Sequence, residues 1–197
     1  MRRFRRPPRR WARFFHVHGE PYHVENSRRG ILRAVREFFT AIDLDACVTS
    51  DGVMLDNHWL LLMLRDGFFD PLGLIDPHTR VDRLTWEQAD RLRTKDGYRI
   101  RTMKSQLWFA KHAGLKRVEL ETKESRGFDN QAIWDDLAKS KPAGLRVVVK
   151  CDTEHQAFAK IMRHAKAAGF TTMALWHRGE LPPLRAVDYV RGSGRKR

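Results

Sequence analysis

Apolar and polar positions follow two periods along this chain, and the period changes several times. Trp11, Phe14 and Phe15 make a short apolar run that ends at His16, where Gly19 and Pro21 break it, so a strand is predicted to stop near His16. From Ser27 the spacing becomes helical: Ile31, Leu32, Val35, Phe38 and Phe39 share one face, and arginines and Glu37 share the other. Asn26 or Ser27 is the expected cap. Residues 41–48, AIDLDACV, alternate as a strand does, which sends Asp43 and Asp45 to one side and Ile42 and Leu44 to the other. Ser50, Asp51 and Gly52 then predict a tight turn, with an extended run on to His58.

The later chain keeps this rhythm. Residues 59–77 are turn-rich and suggest an insertion or lid. A short helix is predicted over Leu84–Leu92, with Thr85 as cap and Gln88 in capping-box position, and a second over residues 105–114. Residues 115–123 alternate again and place Glu119, Glu121 and Lys123 on one face. Helix, buried strand, helix and strand follow at residues 128–144, 146–152, 153–169 and 170–176. Strands alternating with helices predict a parallel sheet with crossover helices, which closed becomes an α/β barrel with its functional groups at the C-terminal strand ends. The expected strands lie near residues 12, 42, 118, 147 and 173, with a weak one over Leu184–Val190. A full barrel has eight strands and about 250 residues. The fold class expected is therefore a TIM-type (β/α) barrel, abbreviated or irregular in its C-terminal half.

Composition adds an electrostatic question. The 197 residues are 42% hydrophobic and 31% charged, which suits one soluble globular domain, and the net charge is +14. Residues 1–13 hold seven arginines and residues 191–197 are basic, so both are expected to be flexible tails around a domain at 14–190. Such tails attract nucleic acid or anionic membrane surfaces, although no zinc-finger spacing or Walker loop strengthens the first partner. Residues 60–64 are far too short a run for a transmembrane segment, and nothing resembles a secretory signal. Two cysteines do not make a disulfide framework, and a cytoplasmic location is expected.

Carboxylates projecting together suit a hard cation that takes oxygen ligands. Two of them between two histidines carry a specific resemblance. His16, Glu25-Asn26-Ser27, Asp43-Leu44-Asp45, Thr49-Ser50-Asp51-Gly52, His58 and Glu121-Thr122-Lys123 follow in the order and spacing of the glycerophosphodiester phosphodiesterases, and the chain resembles that family from Phe14 to Lys123. It departs at three places. Val17 and His18 stand where the family has Arg-Gly, Asp43 stands where it has Glu, and Trp59 follows the second histidine in place of Asp.

The resemblance implies a metal-dependent phosphoric diester hydrolase that releases glycerol 3-phosphate and an alcohol. It implies His16 and His58 as catalytic base and acid, and Asp43, Asp45 and Glu121 as ligands of Mg²⁺ or Ca²⁺. Lys123, His18, Lys150 and Trp176 would contact the substrate, a small glycerophosphodiester, while Glu25 and Asn26 support the site. Two alternatives stand beside it: an inactive phosphodiesterase scaffold that binds nucleic acid or anionic lipid through the tails, and a lipid phosphodiesterase of the sphingomyelinase D type. The second alternative is weakened by the missing disulfides and signal.

Overall fold

The structure, a computed structural model, describes residues 27–58, 67–123, 125–176 and 187–192. The expected first strand and the N-terminal basic tail lie outside the described residues, as do residues 193–197; Arg191 and Gly192, expected in the C-terminal tail, belong to the last strand of the sheet.

Helix α1, Arg28–Arg36, begins where its sequence allows it to: the Ser27 hydroxyl accepts the Gly30 N–H at 3.2 Å. Arg33 and Arg36 in the last turn complement the carbonyl end of the helix dipole. The helix stops at Arg36, three residues before the apolar pattern ends at Phe39. Phe38 takes a left-handed φ of 62° and is 93% exposed, so it belongs to the terminating turn and not to the expected buried face. Ile31 and Ala34 carry the burial.

Strand β1 covers Ala41–Val48, and β2, Met54–Asp56, folds back on it as an antiparallel partner. The Thr49–Gly52 turn between them places Gly52 at a φ of 85°, a conformation suited to glycine. Helix α2, Trp86–Arg91, carries the predicted capping box of Thr85 and Gln88. Strand β3 is the pair Arg101–Thr102, which leads directly into helix α3, Met103–His112. Thr102 caps α3 two residues earlier than the sequence pattern suggests.

The second half alternates as expected: β4 at Arg117–Thr122, α4 at Gln131–Ser140, β5 at Arg146–Asp152, α5 at Phe158–Ala167, β6 at Thr171–Trp176 and β7 at Tyr189–Gly192. Residues 153–157, expected as helix, form turns before α5. The weak last strand lies later than its apolar pattern suggested. In space the sheet order is β3-β2-β1-β4-β5-β6-β7, with β1 and β4 to β7 parallel and the β1-β2-β3 end antiparallel. Among the described residues it does not close, and the architecture is an irregular barrel-type α/β fold.

Alternation decides which side of the sheet is apolar. Ile42, Leu44, Val118, Leu120, Val147 and Val149 meet α3, α4 and α5 in the main core, through Leu107, Trp134 and Ile161 among others. Each fully buried aliphatic side chain there contributes about 1.5–3 kcal/mol. A smaller cluster of Cys47, Leu55, Phe68, Val81, Leu84, Leu92 and Ile100 gives the described part of the β2–β3 connection, from residue 67 on, a core of its own. Asp51 ties the start of α2 to the β1–β2 turn by accepting the Trp86 N–H at 3.0 Å. That aspartate is scaffold here.

Candidate active site

The other side of the sheet is charged. Parallel pairing sets Asp43 opposite Glu119 and Asp45 opposite Glu121, and on the next strand Glu121 stands opposite Lys150. Since neighbouring strands lie about 4.8 Å apart, these side chains form one lateral cluster. Sequence alternation already implied the acidic face. It placed Lys123 on that face as well, but did not pair Lys150 or Arg117 with the acids.

Two lysines and an arginine pair with the acids. The Lys150 ammonium pairs with Asp43 Oδ2, lies 3.1 Å from Glu121 Oε2 and is 3.8 Å from Glu119 Oε2. Lys123 Nζ lies 2.9 Å from Asp45 Oδ1 and pairs also with Glu121 Oε1. Arg117 holds the fully buried Glu119 at 2.6 Å. His58 Nδ1 is 3.4 Å from Asp45 Oδ2, so the aspartate stands between an imidazole and an ammonium. Asp43, Asp45, Glu121, Lys123, Lys150 and His58 are thus brought together.

Burial and charge compete within this group. Burial pushes Asp43 up to about 6, with Lys150 pulling against it and Glu121 and Asp45 adding to it. Glu121 moves the other way, down to about 2, because Lys150 and Lys123 overcome the cost of its burial. Lys150 is raised even though burial opposes its charge, since Asp43, Glu121 and Glu119 surround it. Asp43 and Lys150 are therefore both raised, which disfavours charge on the acid and favours it on the base. The geometry accounts for this: Lys150 serves several carboxylates, and its charge does not offset the burial of Asp43.

The donors fit a hard cation by kind, being carboxylates on adjacent strands, and the buried Asp43 Oδ1 has no hydrogen-bond partner. Their present arrangement is different. Among the described residues no three acidic, imidazole or thiol groups are gathered as a metal cage, and ammonium groups stand between the carboxylates.

A cavity of about 640 Å³ opens beyond the C-terminal ends of β4 and β5, lined by Arg80, Ser125, Arg126, Glu154 and His155 among others. No motif announced it, because its walls come from three loops far apart in the chain. His16, His18, Glu25 and Asn26 lie outside the described residues. Trp176 ends β6, opposite Gly192 of β7, and its side chain lies outside them too.

No family model and no curated protein matches this chain by sequence. Solved structures do match. A candidate glycerophosphodiester phosphodiesterase from Galdieria sulphuraria superposes with a TM-score of 0.60 at 18% identity over 83% of this chain. The fold is that of the glycerophosphodiester phosphodiesterases. A candidate glycerophosphoryl diester phosphodiesterase from Silicibacter pomeroyi DSS-3 gives 0.57 at 18% identity over 81%, and an Oleispira antarctica phosphodiesterase in complex with sn-glycerol-3-phosphate gives 0.60 at 16% over 81%. The chain spans 62% of the length of each of these three structures. At such identities the likeness is one of fold. Among the described residues no helix is long and apolar enough to cross a membrane.

Proposed function

We propose that the chain is a phosphoric diester hydrolase acting on glycerophosphodiesters, with glycerol 3-phosphate and an alcohol as products. The observation that supports this reading is the cluster of Asp43, Asp45, Glu121, Lys123 and His58 on one face of the phosphodiesterase-type sheet. The Oleispira neighbour holds sn-glycerol-3-phosphate as its product, which supports a substrate of that class.

Hydrolysis of a diester places negative charge on the nonbridging oxygens and on an alkoxide leaving group, so positive charge and a proton donor are needed. A divalent cation, Mg²⁺ or Ca²⁺, held by Asp43, Asp45 and Glu121 would supply charge neutralisation at the phosphate. Lys123, half-buried between Asp45 and Glu121, adds a positive group at the same place. His58, oriented by Asp45, delivers a proton to the departing alcohol, while His16 takes one from the attacking hydroxyl. That hydroxyl belongs to water or to the substrate's own glycerol. His18, Lys150 and Trp176 complete the proposed substrate side, Glu25 and Asn26 support it, and the free cysteines Cys47 and Cys151 suit a reducing, cytoplasmic setting.

The test is glycerol 3-phosphate release from glycerophosphocholine with Mg²⁺, with Ca²⁺ and in EDTA. Release that depends on the cation is expected, and its absence under every condition would sink the proposal. The net charge of +14 favours a second reading, in which the arginine-rich residues 1–13 hold a polyanion such as nucleic acid or an anionic lipid surface. A chain lacking residues 1–10 should then keep turnover of the small diester and lose salt-sensitive retention on DNA or anionic vesicles.

A further inference from the structure

The two lysines of the charged face differ in what they can reach. Lys123, with 18% of its side chain exposed, bridges Asp45 and Glu121 at the rim and can turn toward an incoming phosphate. Lys150 is 2% exposed and faces carboxylates from two other strands: Asp43 on β1, and Glu121 and Glu119 on β4. An ammonium has three N–H donors and no acceptor; Asp43 and Glu121 lie within hydrogen-bond reach of two of them, and Glu119 at 3.8 Å adds charge without a hydrogen bond.

A divalent cation bound to the same acids would need the same space. Oxygen ligands approach Mg²⁺ or Ca²⁺ at about 2.0–2.6 Å, and Lys150 Nζ already lies within hydrogen-bond reach of Asp43 Oδ2 and Glu121 Oε2. Two cations cannot share these oxygens without strong repulsion in a site largely shut off from water. Asp43 Oδ1, buried and without a hydrogen-bond partner, is the oxygen that Lys150 leaves open. We propose that the Lys150 ammonium holds the place of a divalent cation between Asp43 and Glu121, so that cation binding and the Lys150 ion pairs exclude one another.

This rests on the phosphodiesterase reading and gives it a regulated cofactor. Lys150 is a positioning residue: it offsets the charge of Asp43, Glu119 and Glu121 when no ion is bound, and it weakens the affinity for the ion. The chain folds around its own cation. An outside cation must displace it.

The test is a Mn²⁺ titration of the full chain, with free ion followed by electron paramagnetic resonance, for wild type, Lys150→Gln and Lys150→Arg. Lys150→Gln should bind Mn²⁺ tighter by about tenfold or more, as expected where the charge count of a carboxylate site sets divalent affinity. Lys150→Arg, which keeps the charge, should stay near wild type. Equal affinities for wild type and Lys150→Gln, or no binding by either, overturn the proposal. If Lys150→Gln is unfolded in EDTA, circular dichroism should show the fold recovered by millimolar Mn²⁺, and failure to recover also overturns it. The titration reads binding and not turnover. An inactive wild-type chain would therefore sink the phosphodiesterase reading while the comparison of affinities still stands or falls by itself.

Discussion

Lys150 and Glu121 stand opposite one another on adjacent parallel strands, with the ammonium 3.1 Å from the carboxylate. Neither group depends on the other alone, since Glu121 also pairs with Lys123 and Lys150 with Asp43. The ammonium also lies 3.8 Å from Glu119. One ammonium thus ties β5 to charges on β4 and β1. The same side chain that makes the charged face tolerable to the fold limits what else that face can hold.

The pH dependence of stability should show two opposite slopes in the chelated protein. Asp43, raised from 3.8 to about 6, is protonated in the folded chain and ionised in the unfolded chain between those values, so stability falls as pH rises through that window. Glu121, lowered from 4.5 to about 2, contributes stability that is full above 4.5 and is lost as pH falls toward 2. Melting curves from pH 2 to 7 should therefore flatten between about 4 and 6 in Asp43→Asn and below about 4.5 in Glu121→Gln. An Asp43→Asn chain that keeps the wild-type slope would contradict the burial of that carboxyl.

Gly127 is predicted to resist substitution. It lies in a short 3₁₀ turn, Arg126–Asp129, that packs on the end of β1. A methyl group there would run into Val48 Cγ1 and come within 2.7 Å of Val48 Cβ. Val48 is fully buried and cannot swing aside without disturbing the main core. Overpacking of this kind costs about 1–3 kcal/mol, so Gly127→Ala should lower the melting temperature by several degrees. An unchanged melting temperature would show that the turn shifts freely.

Much of the fold was legible because alternation and capping are local. Ile42 and Leu44 against Asp43 and Asp45 assigned both faces of β1, and Thr85 with Gln88 placed a helix start. Residues 146–152 declared a buried strand by their β-branched run. Phe38 misled because helical spacing continues past the point where the backbone turns left-handed, and periodicity carries no information about φ. Val187 and Asp188 precede the last strand, which begins at Tyr189, because pairing with β6 overrode a weak local pattern. The site was legible as an acidic face and as a resemblance. The partner of Asp43 was not: Lys150 stands 107 positions away, and only the β1-β4-β5 order brings them together. The cavity beyond β4 and β5 was hidden for the same reason, since tertiary order assembles its loops.

His58 should affect chemistry far more than stability. Its imidazole is part-exposed and rests against Asp45, whose other oxygen is held by Lys123, so the ring is oriented without being part of the core. A positioned acid or base contributes typically about 10²–10⁴-fold to rate, and His58→Ala should lower kcat for glycerophosphocholine within that range at an almost unchanged melting temperature. Asp45→Asn should also lower kcat, because it removes the carboxylate that orients the His58 ring and pairs with Lys123. If Asp45 acts partly through His58, the double variant should lose less than the product of the two single losses, the sign of a coupled pair. A folded His58→Ala chain with near wild-type turnover would remove His58 from the mechanism. Strictly multiplicative losses would instead show that Asp45 acts on the phosphate side alone.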